Sequence, residues 1–402
     1  MEESARVTVF LGGGFAAKYL HGGGNFSVPL QWMLGLRRLK QDAIWLEHMP
    51  SEGDPAEDRR KIDNFRRQLR AHGLEDRYCL LYDKEPQSQH DLDALECIGM
   101  SRRELLDRLQ GPNTLLNLSY SLHPPLLLKF ERRIFCDLDP SEIIYWMTRM
   151  EMGQATHHDF WTIGLNVNAP DCKLLKMAPS KLPGMEAAAV QPDSLSWKTF
   201  YPLVDTRLYR TQPRPRSPKF TTIGQWYWGG AVEVDGDFPD LSKKYAFERY
   251  LDLPKRVPKA RFELAMHMSA DDPDRERLQR CGWRLVDPHT VAVTPRKYRR
   301  YVASALGEFT VIKGVDVSWK TGWLSDRAAA FLASGRPVVT EDSGAGRYLP
   351  RESGFRFIGD AEAAAEAIEE VLGKWRERSR EARRCAVELF DSARNLRKIL
   401  DL

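Results

Sequence analysis

Short, nearly continuous apolar runs alternate with segments of helical periodicity along most of this chain, and that alternation restricts its fold more than any other feature. Arg6-Val-Thr-Val-Phe-Leu11 is such a run and ends in Gly12-Gly13-Gly14. It reads as a buried parallel strand leading into a loop. Strand-like segments at 43–46, 78–82, 113–120, 133–137 and 160–164 continue the series. Between the early ones lie helix-like stretches at 29–40, 59–71 and 101–110; the first carries Leu30, Met33, Leu34 and Leu36 at helical spacing. Strand, crossover helix and strand in repetition means a parallel sheet covered on both faces.

Between about positions 170 and 218 the chain turns rich in Pro, Ser and basic residues, as in Thr211-Gln-Pro-Arg-Pro-Arg-Ser-Pro218. Runs of this kind resist regular pairing and mark an interdomain connection. Alternation then resumes, with strands expected at 220–225, 262–266, 283–286, 308–312 and 337–340. Among the helices between them, 273–280 opens acidic and closes basic, and 325–333 ends in Ser334-Gly335 with Pro337 close behind. Ala/Glu/Arg-rich helices at 360–372 and 374–389 come last. The fold class is therefore α/β, with two domains of similar size.

Composition excludes several classes. Sixty Lys+Arg against 56 Asp+Glu leave a net charge of +4, too mild over 402 residues to argue for nucleic acid. No stretch approaches the ~20 apolar residues of a membrane span. The opening MEESARVTVFLGGG lacks the basic start and apolar core of a signal peptide. Six cysteines (Cys79, Cys97, Cys136, Cys172, Cys281, Cys385) without a CxxC pair fit neither a zinc site nor a disulfide framework. A cytoplasmic protein with reduced thiols is expected.

Open parallel sheets bind ligands beyond the C-terminal ends of their strands, where helix N-termini offer free N–H groups. Two places have the glycines for close approach. The first is Leu11-Gly-Gly-Gly-Phe-Ala-Ala17, followed by His21-Gly-Gly-Gly-Asn25. Gly12, Gly14 and Ala17 match a GxGxxA pattern, but a helix from Phe15 would be broken by Gly22-Gly23-Gly24, and the better helix starts near Pro29. Glu47, ending the next strand, also lies well beyond the usual distance of about 20 residues, so nicotinamide or flavin binding is disfavoured. The second place is 318–349, where a glycine-bearing loop, a small-residue helix, a strand and the loop Glu341-Asp-Ser-Gly-Ala-Gly346 succeed one another. Ser325 and Asp326 open the helix; they read as N-cap residues and as part of a diphosphate-binding turn.

The stretch Asp326-Arg-Ala-Ala-Ala-Phe-Leu-Ala-Ser-Gly-Arg-Pro-Val-Val-Thr-Glu-Asp-Ser-Gly344 resembles the donor-binding half of GT-B glycosyltransferases, in which a helix ending in small-Gly-x-Pro-Val-Val precedes a Gly loop. Gly354-Phe-Arg-Phe357 and the helix 361–372 resemble the next strand and helix of those enzymes, and the match covers about 50 residues. The layout extends it to two Rossmann-like domains facing across a cleft: an acceptor-binding domain over 1–205, a linker over 206–219, a nucleotide-sugar domain over 220–385, and a C-terminal helix over 386–402 that crosses back. One departure stands out. Many retaining members carry two acids eight positions apart, where this sequence has Gly322 and Ala330; Asp326 or Glu341-Asp342 are the available substitutes, and the stereochemical outcome stays open.

The resemblance implies transfer of a sugar from a nucleoside diphosphate to an acceptor, a small molecule such as a secondary metabolite, with no metal required. On the donor side it implicates Gly322, Trp323, Ser325, Asp326, Arg327, Asp342, Ser343 and Gly344. His21, in the Gly loop, is the candidate general base of an inverting transfer, with His158 and Asp159 as a second acid–base cluster. Gly22, Gly23, Gly24 and Trp226, the last within Gln225-Trp-Tyr-Trp-Gly-Gly230, are the acceptor-side candidates. No HxxxH or HExxH pattern offers a metal site. A sugar-nucleotide epimerase, a nucleotide-sugar-binding regulator and an NAD-dependent oxidoreductase are the rival readings, and homodimerisation is left open.

Overall fold

The computed structural model describes residues 7–85, 90–177, 188–230, 232–233, 238 and 240–402. The first half of the chain builds β1 (Thr8–Gly13), α1 (Gly23–Arg38), β2 (Asp42–Pro50), α2 (Pro55–Arg70), β3 (Tyr78–Asp83) and β4 (Glu96–Gly99). It continues with α3 (Arg102–Gln110), β5 (Asn113–Leu118), β6 (Arg132–Asp137), α4 (Pro140–Met147), β7 (Asp159–Thr162) and β8 (Trp197–Thr199). These strands form one sheet in the order β4-β3-β2-β1-β5-β6-β7-β8. Every pairing is parallel except β3–β4, so the uniformly parallel sheet expected from sequence carries one antiparallel edge. Side chains alternate between faces along each strand. Val9 and Leu11 of β1 face a core shared with Leu30, Met33 and Phe65, while Phe10 faces the opposite core with Leu105 and Leu126.

The second half builds β9 (Lys219–Gln225), α5 (Lys243–Glu248), α6 (Leu253–Arg256), β10 (Arg261–His267), α7 (Pro273–Arg280) and β11 (Arg284–Leu285). Then come α8 (Pro288–Val291), α9 (Pro295–Ser304), β12 (Gly307–Phe309), α10 (Gly314–Ser318), α11 (Asp326–Ala333) and β13 (Val338–Glu341). Four elements close the chain: β14 (Phe355–Ile358), α12 (Ala361–Gly373), α13 (Trp375–Cys385) and α14 (Ser392–Ile399). The second sheet is wholly parallel, in the order β11-β10-β9-β12-β13-β14. Strand order reverses beside β1 in the first sheet and beside β9 in the second, and crevices at such reversals are where open α/β sheets hold ligands.

Three local differences from the sequence expectations have physical reasons. The helix expected from Pro29 begins at Gly23, inside the glycine triplet, because its first turn sits on the backbone of the second domain. A Cβ at position 23 would stand 2.1 Å from the Ala292 carbonyl oxygen, so only glycine fits. The stretch read as a connection from 170 to 218 contains β8, whose Trp197 is buried against Phe160 with ring centroids 5.6 Å apart; residues 178–187 of that stretch, and Arg6 of the first strand, lie outside the described residues. The helix 374–389 ends at Cys385 and widens into a π turn over Ala386–Phe390. From there α14 returns to the first domain and packs on α1, where a Cβ at Gly35 would meet Leu396 at 2.5 Å.

Candidate active site

The two strand-order reversals face each other across a cleft of about 640 Å³. Its first wall is the loop after β1 and the start of α1, with Phe15, Tyr19, Leu20 and His21 and the glycines Gly22, Gly23 and Gly24. The buried Glu47 shapes that loop. Its carboxylate accepts hydrogen bonds from the amides of Ala16 (2.6 Å) and Ala17 (2.9 Å) and from Trp45 Nε1 (2.9 Å). Burial nevertheless raises its pKa above the usual carboxylate value. The acid that a dinucleotide site would aim at a ribose is thus spent on the peptide backbone.

The second wall carries positive charge. Arg327, in the first turn of α11, is pinned from three sides: by the fully buried Glu308, by the Ile223 carbonyl (2.8 Å) and by Thr310 Oγ1 (2.9 Å). Lys243, at the start of α5, lines the same cleft. Burial first, then the neighbouring Arg327, drives its pKa down to about 7. Lys313, after β12, reaches across to the first domain and contacts both Asp139 oxygens at 2.7 Å and Glu142 at 2.8 Å. Beside these cations Ser325 caps α11, its hydroxyl accepting the Ala328 amide hydrogen bond at 3.0 Å. Asp326 comes next in the chain, its pKa raised to about 6 by burial. Three imidazoles complete the mouth, with ring centroids 5.6 Å apart for His21–His289 and 5.1 Å for His289–His267.

His21, Gly22, Gly23, Gly24, Trp323, Ser325, Asp326 and Arg327 all line this cleft. The other sequence candidates lie elsewhere. Trp226 is fully buried, donating to Asp274 at 2.9 Å and packing on Phe247; its neighbour Trp228 turns into the cleft instead and donates to Glu142 at 2.5 Å. Both tryptophans follow the end of β9 at Gln225, where the chain leaves the strand, so strand alternation, which would put positions 226 and 228 on one face, does not govern them. Gly322, Ser343 and Gly344 form a seam against the first domain. The Gly322 amide donates to the Ser343 carbonyl (2.8 Å), and Cβ atoms at 322 and 344 would meet Asn166. Asp342 closes its own turn by accepting the amides of Gly344 (2.8 Å) and Gly346 (3.1 Å). Asp159, at the N-terminal end of β7, pairs with Arg132 and Lys198, and His158 bonds Arg133, so neither reaches the cleft.

Lys243, Lys313, Asp139, His267 and His289 escaped sequence reading because none belongs to a motif whose spacing points to a site. Only the placement of Lys243 and Lys313 just beyond a helix cap and a strand end was visible. Among the described residues no group of three or more His, Cys, Asp or Glu is arranged to hold a metal ion, and no helix is long and apolar enough to cross a membrane.

No family model matches the sequence, and no curated protein matches it either. Solved structures do share its fold. Anabaena HepE, crystallised with UDP-glucose, is similar over 98% of this chain and 99% of its own, at 10% identity and a TM-score of 0.58. An alpha-glucosyltransferase in complex with UDP and a 13-mer DNA is similar over 99% of both chains, at 10% identity and a TM-score of 0.55. The sucrose-phosphate synthase of Thermosynechococcus elongatus is similar over 98% of both, at 12% identity and a TM-score of 0.50. The chain therefore has the GT-B fold: two Rossmann-like domains facing across a cleft.

Proposed function

We propose that this protein is a glycosyltransferase that moves a sugar from a nucleoside-diphosphate donor to a small acceptor, such as a secondary metabolite, in the cleft between its domains. The observation that carries this reading is the pairing of Lys243 with Arg327 beside the N-terminus of α11. Both side chains line the cleft, and the Lys243 ammonium is disfavoured there first by burial and then by the Arg327 charge. A diphosphate placed between them relieves that penalty. The same wall stabilises the charge that grows on the diphosphate as it leaves, which is the largest demand of the reaction. The arrangement supplies from side chains and backbone N–H groups the positive charge that a metal supplies in other sites, so we propose metal-independent transfer. That Anabaena HepE was crystallised with UDP-glucose on this fold is consistent with such a donor.

In the proposed reaction an acceptor hydroxyl attacks the anomeric carbon. The new carbon–oxygen bond forms as the bond from that carbon to the diphosphate breaks, and its electron pair goes to the departing phosphate oxygen. His21, on the opposite wall, takes the acceptor proton if the transfer inverts. Phe15, Tyr19 and Leu20 give that wall an apolar, aromatic character suited to a small acceptor. The same reading divides the chain into an acceptor domain over 1–205, a linker over 206–219 and a donor domain over 220–385; the end of the first sheet at Thr199 and the start of the second at Lys219 support it.

A melting panel with UDP, TDP, GDP, ADP and NAD(H), each with and without Mg²⁺, tests the proposal, since a ligand of the native state raises Tm by mass action. One nucleoside diphosphate is expected to raise Tm whether or not magnesium is present, and Lys243→Ala to lose that shift. His21→Ala is expected to keep donor binding and lose sugar transfer. A shift with NAD(H) alone would overturn the reading, and transfer that survives His21→Ala would remove His21 from it.

A further inference from the structure

Helix α1 runs from the cleft at Gly23 to Arg38, sixteen residues or about 24 Å away. At that far end lies a second concavity of about 680 Å³, between the C-terminus of α1, the crossing at 206–207 and α14. Five of its lining residues are cations: Arg38, Arg207, Arg394, Arg397 and Lys398. Its one lining carboxylate, Asp391, is already engaged by Arg38 (2.7 Å), by the Thr206 hydroxyl (2.5 Å) and by the Arg394 amide at the start of α14. Asp391 and Asp205 fix Arg38 in place, yet its Nε is buried without a hydrogen-bond partner. Arg207, Arg394, Arg397 and Lys398 are exposed, and none of the four makes an ion pair among the described residues.

Helix α14 explains how the charge is held. Ser392, Ala393, Asn395, Leu396 and Ile399 turn inward, so everything it shows to water is basic: Arg394, Arg397 and Lys398. Like charges gathered in a concave surface repel unless an anion joins them. Arginine forks match the paired oxygens of a phosphate.

We propose that this groove is a binding site for an anion bearing two or more phosphate groups, separate from the cleft. Thr206 and Asp391 line it from two segments that cross between the domains and are joined by an isolated bridge between Val204 and Asp391. The phosphates can belong to a free polyphosphate compound or to a phosphorylated lipid headgroup, since both present the same oxygens.

Titration calorimetry with tripolyphosphate at near-physiological ionic strength tests the site, with Arg394→Glu/Arg397→Glu and Lys398→Glu as variants. These side chains are exposed, so the variants are expected to melt as the wild type does. Wild type is expected to bind, the double variant to lose about ten-fold or more in affinity and Lys398→Glu a smaller share. Lys243→Ala, a change in the cleft, is expected to leave intact the share of binding that the double variant loses. Co-sedimentation with phosphatidylcholine vesicles, plain or doped with phosphatidylinositol phosphate, separates the sources. Pull-down by doped vesicles that the double variant loses assigns a headgroup; binding of tripolyphosphate alone assigns a free compound. No binding by wild type, or full affinity kept by the double variant, would overturn the proposal.

Discussion

Lys313 Nζ lies 2.7 Å from each carboxylate oxygen of Asp139, so an ammonium on the second domain is clasped by an acid on the first. Burial works against that charge, but Asp139, Asp316 and Glu142 outweigh it and hold the Lys313 pKa above the usual lysine value. A diphosphate entering the cleft competes with those carboxylates. Asp139→Asn removes one competitor and loosens the clasp. Calorimetry is expected to show the donor nucleotide binding about five-fold more tightly (~1 kcal/mol), and melting curves a lower Tm for the free protein. Weaker nucleotide binding would mean that Asp139 organises the site and does not compete in it.

Lys243 sets the pH dependence of donor binding. Its pKa in the free protein is lowered to about 7 from an ordinary value near 10.5, and a bound diphosphate pushes it back up. Between pH 7 and 9 the free protein loses this proton while the complex keeps it. Affinity for the diphosphate therefore falls as pH rises, by up to about ten-fold per unit. Lys243→Ala is expected to bind weakly and with a flat profile over the same window. Parallel slopes in the two proteins would assign the titration to another group.

Much of the fold was legible, because the alternation of apolar runs with helical stretches sets a two-domain α/β architecture. The strand order and the antiparallel β3–β4 edge were not, because they rest on long-range pairing that no single segment encodes. Ser325, Asp326 and Arg327 were legible too, since a helix start announces itself through its cap. The rest of the cleft was not. Lys243 and Lys313 gain meaning only when α5 and β12 bring them beside Arg327 and Asp139, and sequence carries no signal for that juxtaposition. The Asp342-Ser343-Gly344 turn shows the converse. Its composition suits an anion site, yet its positive-φ glycine serves a backbone seam against Asn166.

Gly23 and Gly24 look alike in sequence and differ in the fold. A Cβ at 23 meets main-chain atoms of Ala292 and Thr294 within 2.7 Å, whereas at 24 the nearest atom is the Tyr298 ring at 3.8 Å. Gly23→Ala must part the domains or bend α1, at a cost of about 1–3 kcal/mol. Gly24→Ala gains about 0.5–1 kcal/mol of helix propensity with nothing in its way. Denaturant melts are expected to rank Gly24→Ala at or above wild type and Gly23→Ala below it. Equal stabilities would mean that the contact with 292–294 is not held in solution.

Glu47 supports the wall that carries His21 without facing the cleft. One of its oxygens serves the amides of Ala16 and Ala17 and the other serves Trp45 Nε1, so three donors converge on one buried group. Glu47→Gln keeps the shape and leaves a single acceptor oxygen. Turned one way, its NH₂ confronts the two amides; turned the other, it confronts the indole N–H. Either way a buried donor goes unpaired, at about 1–3 kcal/mol. Because the loss falls on the 14–22 loop, hydrogen exchange is expected to rise first at Ala16 and Ala17 while the strands stay protected. Donor binding, which rests on the other wall, is expected to survive while transfer falls. Uniform loss of protection across the first sheet would instead show Glu47 to be a general stabiliser of that domain.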